Sequence, residues 1–380
     1  MDLTRLRPTW VEVDLDAITH NVKLLSRLAP EAAFMAVVKA DGYGHGANAT
    51  ARAALEAGAG WLGVATVEEG VELRRAGITA PTLIFGYVPP EQTGLLLLHK
   101  LRAALFSLDL AEALDQRGRE LMRKAIVHLK VDTGMGRVGI QPADVAAFIR
   151  RLQTFPHIEL EGVFTHLATA DEPGHDYAER QLQAFESVLA ELRQEGIQPP
   201  IVHAVNSAGL MRLPQGHYNL VRAGIAMYGL PPDPDVEWPA ELKPALTWRT
   251  RVGHIKTVEP GTPISYGCVY RASERERIAT LPVGYADGYS RFLTNRGEVL
   301  IQGRRCPIVG RVCMDQTMVR VPDGANVRAG DDVVLIGEQQ GERITASDLA
   351  RVIGTINYEV ICGISKRVPR LYRRGGQISE

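Results

Sequence analysis

The chain has 380 residues, 45% hydrophobic and 23% charged, an ordinary globular composition long enough for one large α/β domain and a smaller partner. Its net charge of -1 excludes the basic field that would recruit nucleic acid or an anionic membrane. Of 43 basic residues only eight are lysine, which narrows the candidates for amine chemistry.

The N-terminal "MDLTRLRPTW" has no apolar stretch of signal-peptide length, so a soluble cytoplasmic protein is expected. From Asp14 an amphipathic helix follows: Leu15, Ile18, Val22, Leu25 and Leu28 fall near helical spacing, and Asp14 or Asp16 can cap it. Then short apolar runs alternate with helical patterns. The runs are 34–38, 61–64, 82–85, 102–105, 126–131, 160–164, 201–203 and 219–221. Between them lie segments long enough for crossover helices. Eight such β/α units predict a (β/α)8 TIM barrel, with an open doubly wound sheet as the alternative. The most apolar stretch, "GLLLLHKLRAALFSLDL", is broken by His99, Lys100 and Arg102 and reads as helix then strand, not as a membrane span.

The texture changes at "LPPDPDVEWP" (230–239), whose four prolines read as a linker. Beyond it, "ALTWRTRVGHIKTV", "RIATLPVG", "EVLIQGRRCPIVGRV", "QTMVRVP" and "DDVVLIG" predict a smaller, mainly antiparallel β domain, with one helix near 345–353. The expected division is a barrel over 13–235 and a β-rich domain over 236–380, joined by residues 1–12. Cys268, Cys306, Cys313 and Cys362 form no CxxC pair, so no metal site is expected; they read as free thiols in a reducing compartment.

In a barrel, chemistry gathers where strands end and loops begin. There the chain places Lys39 and Tyr43; Lys130, Asp132 and Arg137; His166; His203, Asn206 and Ser207; and Arg222. The loops "NSAG" and "RAGIA" follow the seventh and eighth strands, a frequent phosphate position; their small residues offer backbone N–H groups to a dianion. A lysine facing a phosphate site suggests pyridoxal phosphate, whose aldehyde forms a Schiff base with an amine. "TGMGRVG" contains a GxGxxG spacing with Glu159 and Glu161 near the position of a ribose-binding acid. It follows the fifth strand of a series, however, and its first loop residue is Asp132, poor company for pyrophosphate.

"AVVKADGYGHG" resembles the cofactor-lysine signature of alanine racemases, fold-type III pyridoxal phosphate enzymes. The likeness continues in order through "VDTGMGRVG", "FTHLATAD", "NSAG", "RAGIAMYG", "SYG", "LPVGYADG", "GRVCMDQ" and "TINYEV", covering nearly the whole chain. The cysteine-containing motif of related decarboxylases is not seen. The resemblance implies a homodimer whose sites combine one subunit's barrel with the other's C-terminal domain, and in which the first dozen residues pack with that domain. It implies pyridoxal 5'-phosphate as cofactor and L- and D-alanine as substrates, supplying D-alanine for cell-wall synthesis.

Racemisation removes a proton from one face of Cα and returns it to the other, so two bases are needed. The resemblance assigns Lys39 to the D-isomer's face and the partner subunit's Tyr266 to the L-isomer's. It places His166 near that tyrosine and links it to Arg222, which faces the pyridine nitrogen. An arginine there can donate but not transfer its proton, leaving the ring a weaker electron sink. Tyr43, Asn206, Ser207, Gly224, Ile225 and Tyr358 are implied cofactor contacts, mostly to the phosphate. Arg137 and the backbone N–H of Met314 are implied for the substrate carboxylate, with Asp315, Tyr285 and Tyr270 lining the mouth. Lys130 matches a position carbamylated (N6-carboxylysine) in the family, where an anion would balance Arg137. His45 receives no role. Two alternatives remain open in the sequence: a sibling racemase acting on serine or several amino acids, and a pyridoxal phosphate carrier without turnover. "SYG" and "CMDQ" argue against the carrier, which would need no opposing base.

Overall fold

A computed structural model describes residues 7–379; residues 1–6 of the expected second domain lie outside the described residues. The chain divides into two compact units. One comprises Ala17–Tyr43 and Ala47–Pro244. The other comprises the chain up to Asp16, the short stretch Gly44–Gly46, and everything from Ala245.

Strand β1 (Thr9–Asp14) belongs to the second unit; the next eight strands form the first. They are β2 (Ala33–Val37), β3 (Trp61–Val64), β4 (Thr82–Ile84), β5 (Arg102–Leu105), β6 (Ala125–Lys130), β7 (Ile158–Phe164), β8 (Ile201–His203) and β9 (Leu220–Ala223). All pair in parallel, in the order β8-β7-β6-β5-β4-β3-β2-β9. Each apolar run expected to be a strand is one, and the fold is the (β/α)8 barrel rather than the open sheet. β8 and β9 end the hydrogen-bonded series, and side chains bridge them: Arg222 Nη1 reaches His203 Nδ1 at 2.7 Å and Nη2 reaches the Ala204 carbonyl at 2.8 Å. The last strand runs later than the apolar run suggested, so Arg222 stands on it rather than beyond it.

The connecting helices follow from periodicity and caps. Tyr177–Gln194 buries Ala178, Leu182, Phe185, Leu189 and Leu192, one stripe at helical spacing. Val67–Arg75 starts with a capping box, Thr66 accepting from Glu69 N while Glu69 returns to the Thr66 backbone. Leu15–Ser26 is the helix expected after Asp14, whose Oδ1 accepts from Asp16 N at 3.0 Å. No helix among the described residues is long and apolar enough to cross a membrane.

In the second unit, β1 pairs antiparallel with β10 (Leu246–Arg251). The remaining strands are β11 (His254–Val258), β12 (Pro263–Ile264), β13 (Tyr270–Arg271), β14 (Glu276–Leu281), β15 (Glu298–Ile301), β16 (Arg304–Pro307), β17 (Thr317–Val321), β18 (Asp332–Gln339), β19 (Glu342–Ile344), β20 (Arg370–Arg374) and β21 (Gln377–Ser379). The large sheet runs β16-β15-β18-β10-β1-β20-β21 with β19 beside β18; β11-β14-β17 and β12-β13 are separate. Among the described residues only β1 and β20 pair in parallel here, so the unit is mainly antiparallel. Its core gathers Val11, Val13, Trp248, Val299, Leu300, Ile301, Val333 and Leu335, all buried. The expected helix is Ala346–Ile353, capped by Thr345 and Asp348. A second short helix, Asn357–Cys362, was not legible in the pattern.

Candidate active site

Lys39 lies two residues past β2 and opens a left-handed turn. Ala40, Asp41, Gly42 and Tyr43 have φ of 53°, 53°, 60° and 53°. Left-handed backbone costs roughly 1–2 kcal/mol for each non-glycine residue, and three of these four carry a Cβ. Surrounding bonds hold the turn: Glu69 accepts from Ala40 N (2.7 Å) and Ala65 N (2.7 Å), Asp41 from Ala47 N (2.9 Å), and the Val38 carbonyl from Gly42 N (2.9 Å). Strain kept this way marks positions whose geometry is specified by more than folding. Here it ends the strand and turns Tyr43 back onto the barrel. His45, in the same loop, is buried.

Tyr43 packs on Tyr228 with ring centroids 4.9 Å apart, and the Tyr228 hydroxyl donates to the Val37 carbonyl at 3.0 Å. The Tyr43 hydroxyl lies beside Gly224: a Cβ added there would come 2.5 Å from it. Ser207 Oγ accepts from Gly224 N (2.9 Å) and Ala226 N (3.4 Å). The Gly224 N–H is therefore committed within the loop, where the sequence suggested a free donor. With its lone pairs engaged, the Ser207 hydroxyl has its proton left to donate outward. Asn206 accepts from Gly209 N at 3.0 Å and caps the helix Ser207–Arg212. Ile225 opens the turn Ile225–Tyr228. The result is a small cradle with Tyr and Ser hydroxyls converging beside a glycine, a donor set that fits an anion such as phosphate.

Inside the barrel stands Arg222. Nη1 contacts His203 Nδ1; Nη2 reaches the Thr165 carbonyl (3.0 Å), the Ala204 carbonyl (2.8 Å) and His166 Nδ1 (3.1 Å). Its Nε–H has no partner among the described residues. Burial pulls the guanidinium down to about 9, which leaves it protonated at neutral pH. Burial, then the positive charge of Arg222, hold His166 well below its ordinary value. A neutral His166 accepting at Nδ1 carries its proton on Nε2. Gln181 fixes the His166 loop, donating to the His166 carbonyl (3.1 Å) and accepting from Ala168 N (2.8 Å).

Lys130 ends β6. Its Nζ donates to the Val131 carbonyl at 3.3 Å and sits 5.1 Å from the Phe164 ring centroid. Burial, then Arg222 and Arg137, against Asp132, lower it to about 6. Arg137 is exposed in the following loop. There Asp132 Oδ1 accepts from Gly134 N (3.1 Å) and Gly136 N (3.0 Å). The glycine-rich loop thus spends its N–H groups on a carboxylate, and the helix after it starts only at Val145. Neither feature suits a pyrophosphate. Glu161, near the ribose-acid spacing, instead binds Arg102 and His128.

The second unit carries Tyr266, Tyr270, Tyr285, Met314, Asp315 and Tyr358. Tyr266 sits between Ser265 and Gly267, at φ of 66° and 72°, and is 72% exposed. Tyr270 donates to Glu276 Oε2 at 2.7 Å; burial and that carboxylate push it up to about 12. Tyr285 N donates to the Cys313 carbonyl and Ala286 N to the Met314 carbonyl, both at 3.0 Å, across Gly284, where any Cβ would strike those carbonyls. The Met314 N–H has no acceptor among the described residues. Asp287, fully buried, anchors this turn: it accepts from Gly284 N (3.0 Å) and pairs with Arg7 and with Arg367 (3.0 Å), whose Nη2 also holds Asp315 (2.8 Å). Tyr358 lies on the helix Asn357–Cys362.

Sequence reasoning missed the supports Glu69, Gln181 and Asp287, and the buried chain through His128. The His128 signal was present: in "AIVHLK", His128 and Lys130 are two apart and share one face of an otherwise apolar strand.

Residues 13–232 match the family model for the alanine racemase N-terminal domain, and 245–372 that for its C-terminal domain. A curated alanine racemase of Symbiobacterium thermophilum is 61% identical over 377 residues, covering 99% of this chain and all of that one. One from Carboxydothermus hydrogenoformans is 47% identical over 368 residues, 97% and 100% of the two chains. Among solved structures, Bacillus anthracis alanine racemase with bound L-Ala-P superposes with a TM-score of 0.94 at 43% identity, over 99% of this chain and 97% of that one. Clostridium difficile alanine racemase gives 0.95 at 40% identity, over 99% and 98%. Both halves of the chain, in order and over nearly their full length, share this ancestry: the chain belongs to the alanine racemase family of pyridoxal phosphate-dependent isomerases.

Proposed function

We propose that the protein interconverts L-alanine and D-alanine in the cytoplasm, with pyridoxal 5'-phosphate held at the barrel rim, and so supplies D-alanine for cell-wall precursors. The observation that carries this reading is the set of groups at the strand ends: Lys39 after β2, the Tyr43–Ser207–Gly224 cradle, and an arginine whose Nε–H is left unspent. Tyr43 and Ser207 hold the phosphate, with Asn206, Gly224, Ile225 and Tyr358 shaping its surroundings. The bound cofactor supplies an electron-accepting ring that acidifies the substrate Cα–H.

Arg222 would present its Nε–H to the ring nitrogen of the bound group and keep its own proton, which would leave that ring a weak electron acceptor. Lys39 Nζ moves the proton on the D-isomer's face. On the other face the partner subunit's Tyr266 does so, with the His166 Nε2–H as its donor neighbour. Arg137 and the Met314 N–H bind the substrate carboxylate; Asp315, Tyr285 and Tyr270 line the mouth and restrict side-chain size. The shared site requires a homodimer. In the second unit Tyr266, Phe292 (71%), Met314 (54%) and Tyr285 (42%) are exposed and so are accessible to such a partner. Lys130, lowered to about 6, is a neutral amine at physiological pH, the form that takes up carbon dioxide; the carbamate would supply the anion that Arg137 lacks.

The test is L-alanine in deuterium oxide with added pyridoxal phosphate. D-alanine carrying deuterium at Cα is expected; no exchange and no D-isomer would refute the reading. Tyr266→Phe should impair proton removal from L-alanine more than from D-alanine, and full activity in both directions would remove the two-base assignment.

A further inference from the structure

Arg222 is buried in the barrel, yet among the described residues no carboxylate touches it and every acceptor on it is neutral. A buried guanidinium needs a counter-charge. One lies at the end of a hydrogen-bonded chain. His203, whose Nδ1 takes the Arg222 Nη1–H, has its Nε2 2.9 Å from His128 Nδ1. His128 Nε2 is 3.0 Å from Glu161 Oε2. Glu161 also binds Arg102 through Nε (2.8 Å) and Nη2 (3.1 Å).

The protons of this chain have one arrangement. A guanidinium only donates and a carboxylate only accepts. His203 must therefore accept at Nδ1 and donate from Nε2, and His128 must accept at Nδ1 and donate from Nε2 to Glu161. A flipped tautomer or an added proton at either ring would set two N–H groups against each other. Both rings are held neutral: burial lowers His128 and His203, against Glu161 at the first and with Arg222 at the second. Both planes are fixed by packing. His203 stacks on Phe164 at 4.6 Å and 3°, and Trp61 meets His128 edge-on at 5.5 Å. Space for the His128 ring exists because residue 162 is glycine; a Cβ there would lie 2.6 Å from Nδ1. The β6–β7 register also shifts at Val127/His128, an irregularity of the kind that re-aims side chains beside active sites.

We propose that Glu161 is the remote counter-ion of Arg222 and, through His128 and His203, the positioning residue that keeps it oriented with Nε toward the site; this rests on the reading of Arg222 as the group facing the cofactor ring. The competing account is that Glu161 serves only its ion pair with Arg102, tying β5 to β7.

Two measurements decide. The first needs no variant and no turnover: long-range 1H–15N spectra of histidine-labelled protein, with and without cofactor. His128 and His203 should both appear as neutral Nε2–H tautomers. An Nδ1–H tautomer or an imidazolium at either position overturns the proposal. The second compares Glu161→Gln with Arg102→Met as holoenzymes. Losing the carboxylate should shift the alkaline limb of the cofactor absorbance profile by about one pH unit, a tenfold change in the equilibrium read there, and lower kcat more than it raises KM. Arg102→Met breaks the ion pair but leaves the carboxylate at the end of the chain, so it should move both by less than half as much as Glu161→Gln. Equal shifts in the two variants, or none in Glu161→Gln, overturn the proposal. If the wild-type protein bound no pyridoxal phosphate, the functional reading would fall, and the tautomer order would still decide the chain.

Discussion

The cradle around Gly224 makes a prediction that can be worked through from distances. Gly224→Ala adds a Cβ 2.5 Å from the Tyr43 hydroxyl oxygen and 3.1 Å from its Cζ. Tyr43 has little room to retreat: its ring lies on Tyr228, 4.9 Å away, and Tyr228 is tied to the Val37 carbonyl. The hydroxyl must leave, and with it, on the proposed reading, a hydrogen bond to a charged phosphate worth about 1.5–3 kcal/mol. Tyr43→Phe removes that bond without adding bulk, so either change should weaken pyridoxal phosphate binding by roughly 10- to 100-fold. Together they should not add. With the hydroxyl gone the worst clash is gone, and a coupling of about 1–2 kcal/mol is expected from the cycle. Any backbone effect of Ala at position 224 is common to both arms and cancels. The assay is titration of cofactor into apoprotein, followed by ring absorbance and by calorimetry, for the four proteins of the cycle. Additivity within about 0.5 kcal/mol, or unchanged affinity in Gly224→Ala, would refute the argument that Tyr43 and Gly224 form one phosphate cradle.

The left-handed turn predicts that Ala40→Gly stabilises: relief of roughly 1–2 kcal/mol of backbone strain, less about 0.4–1 kcal/mol of unfolded-state entropy, leaves a small gain, read as a higher urea midpoint. Lower stability would mean that Ala40 is not left-handed in solution. Lys130→Met should raise KM for alanine about tenfold with a smaller change in kcat, since Arg137 loses its balancing anion, and the intact mass of the wild type should exceed the chain's by one carbon dioxide that acid releases. An unmodified mass across carbon dioxide concentrations would remove the carbamate. Glu161 is opposed by partial burial but is held down to about 2, below its ordinary 4.5, by His128 and Arg102. A depressed carboxylate stabilises above 4.5, and the gain is lost as pH falls toward 2. Denaturant midpoints across that window should therefore fall on the order of 1 kcal/mol further in wild type than in Glu161→Gln, after allowance for solvent screening. Parallel curves would contradict the assignment.

The amino-acid sequence by itself determined the order of elements and the residues at the rim. Eight apolar runs spaced by helical patterns favour a barrel and leave an open doubly wound sheet as the alternative, because parallel strands need crossovers and each run is too short to be a helix. Lys39, Lys130, His166 and Arg222 were visible because a polar group at the end of an apolar run is conspicuous. Short-range chemistry was legible for the same reason, as with Thr345 and Asp348 capping their helix. What the tertiary structure decided was partnership. Nothing near Gly224 in the chain announces that Tyr43 will fill the space beside it, nor that Asp132 will consume the N–H groups of a loop spelled like a dinucleotide site. Glu161 looked like a candidate ribose ligand; β6, β7 and β8 instead bring it into line with His128, His203 and Arg222. Periodicity assigns a side chain to a face, but hydrogen bonds across a barrel depend on strand order, register and one irregularity at Val127/His128, and these are fixed only when the sheet closes.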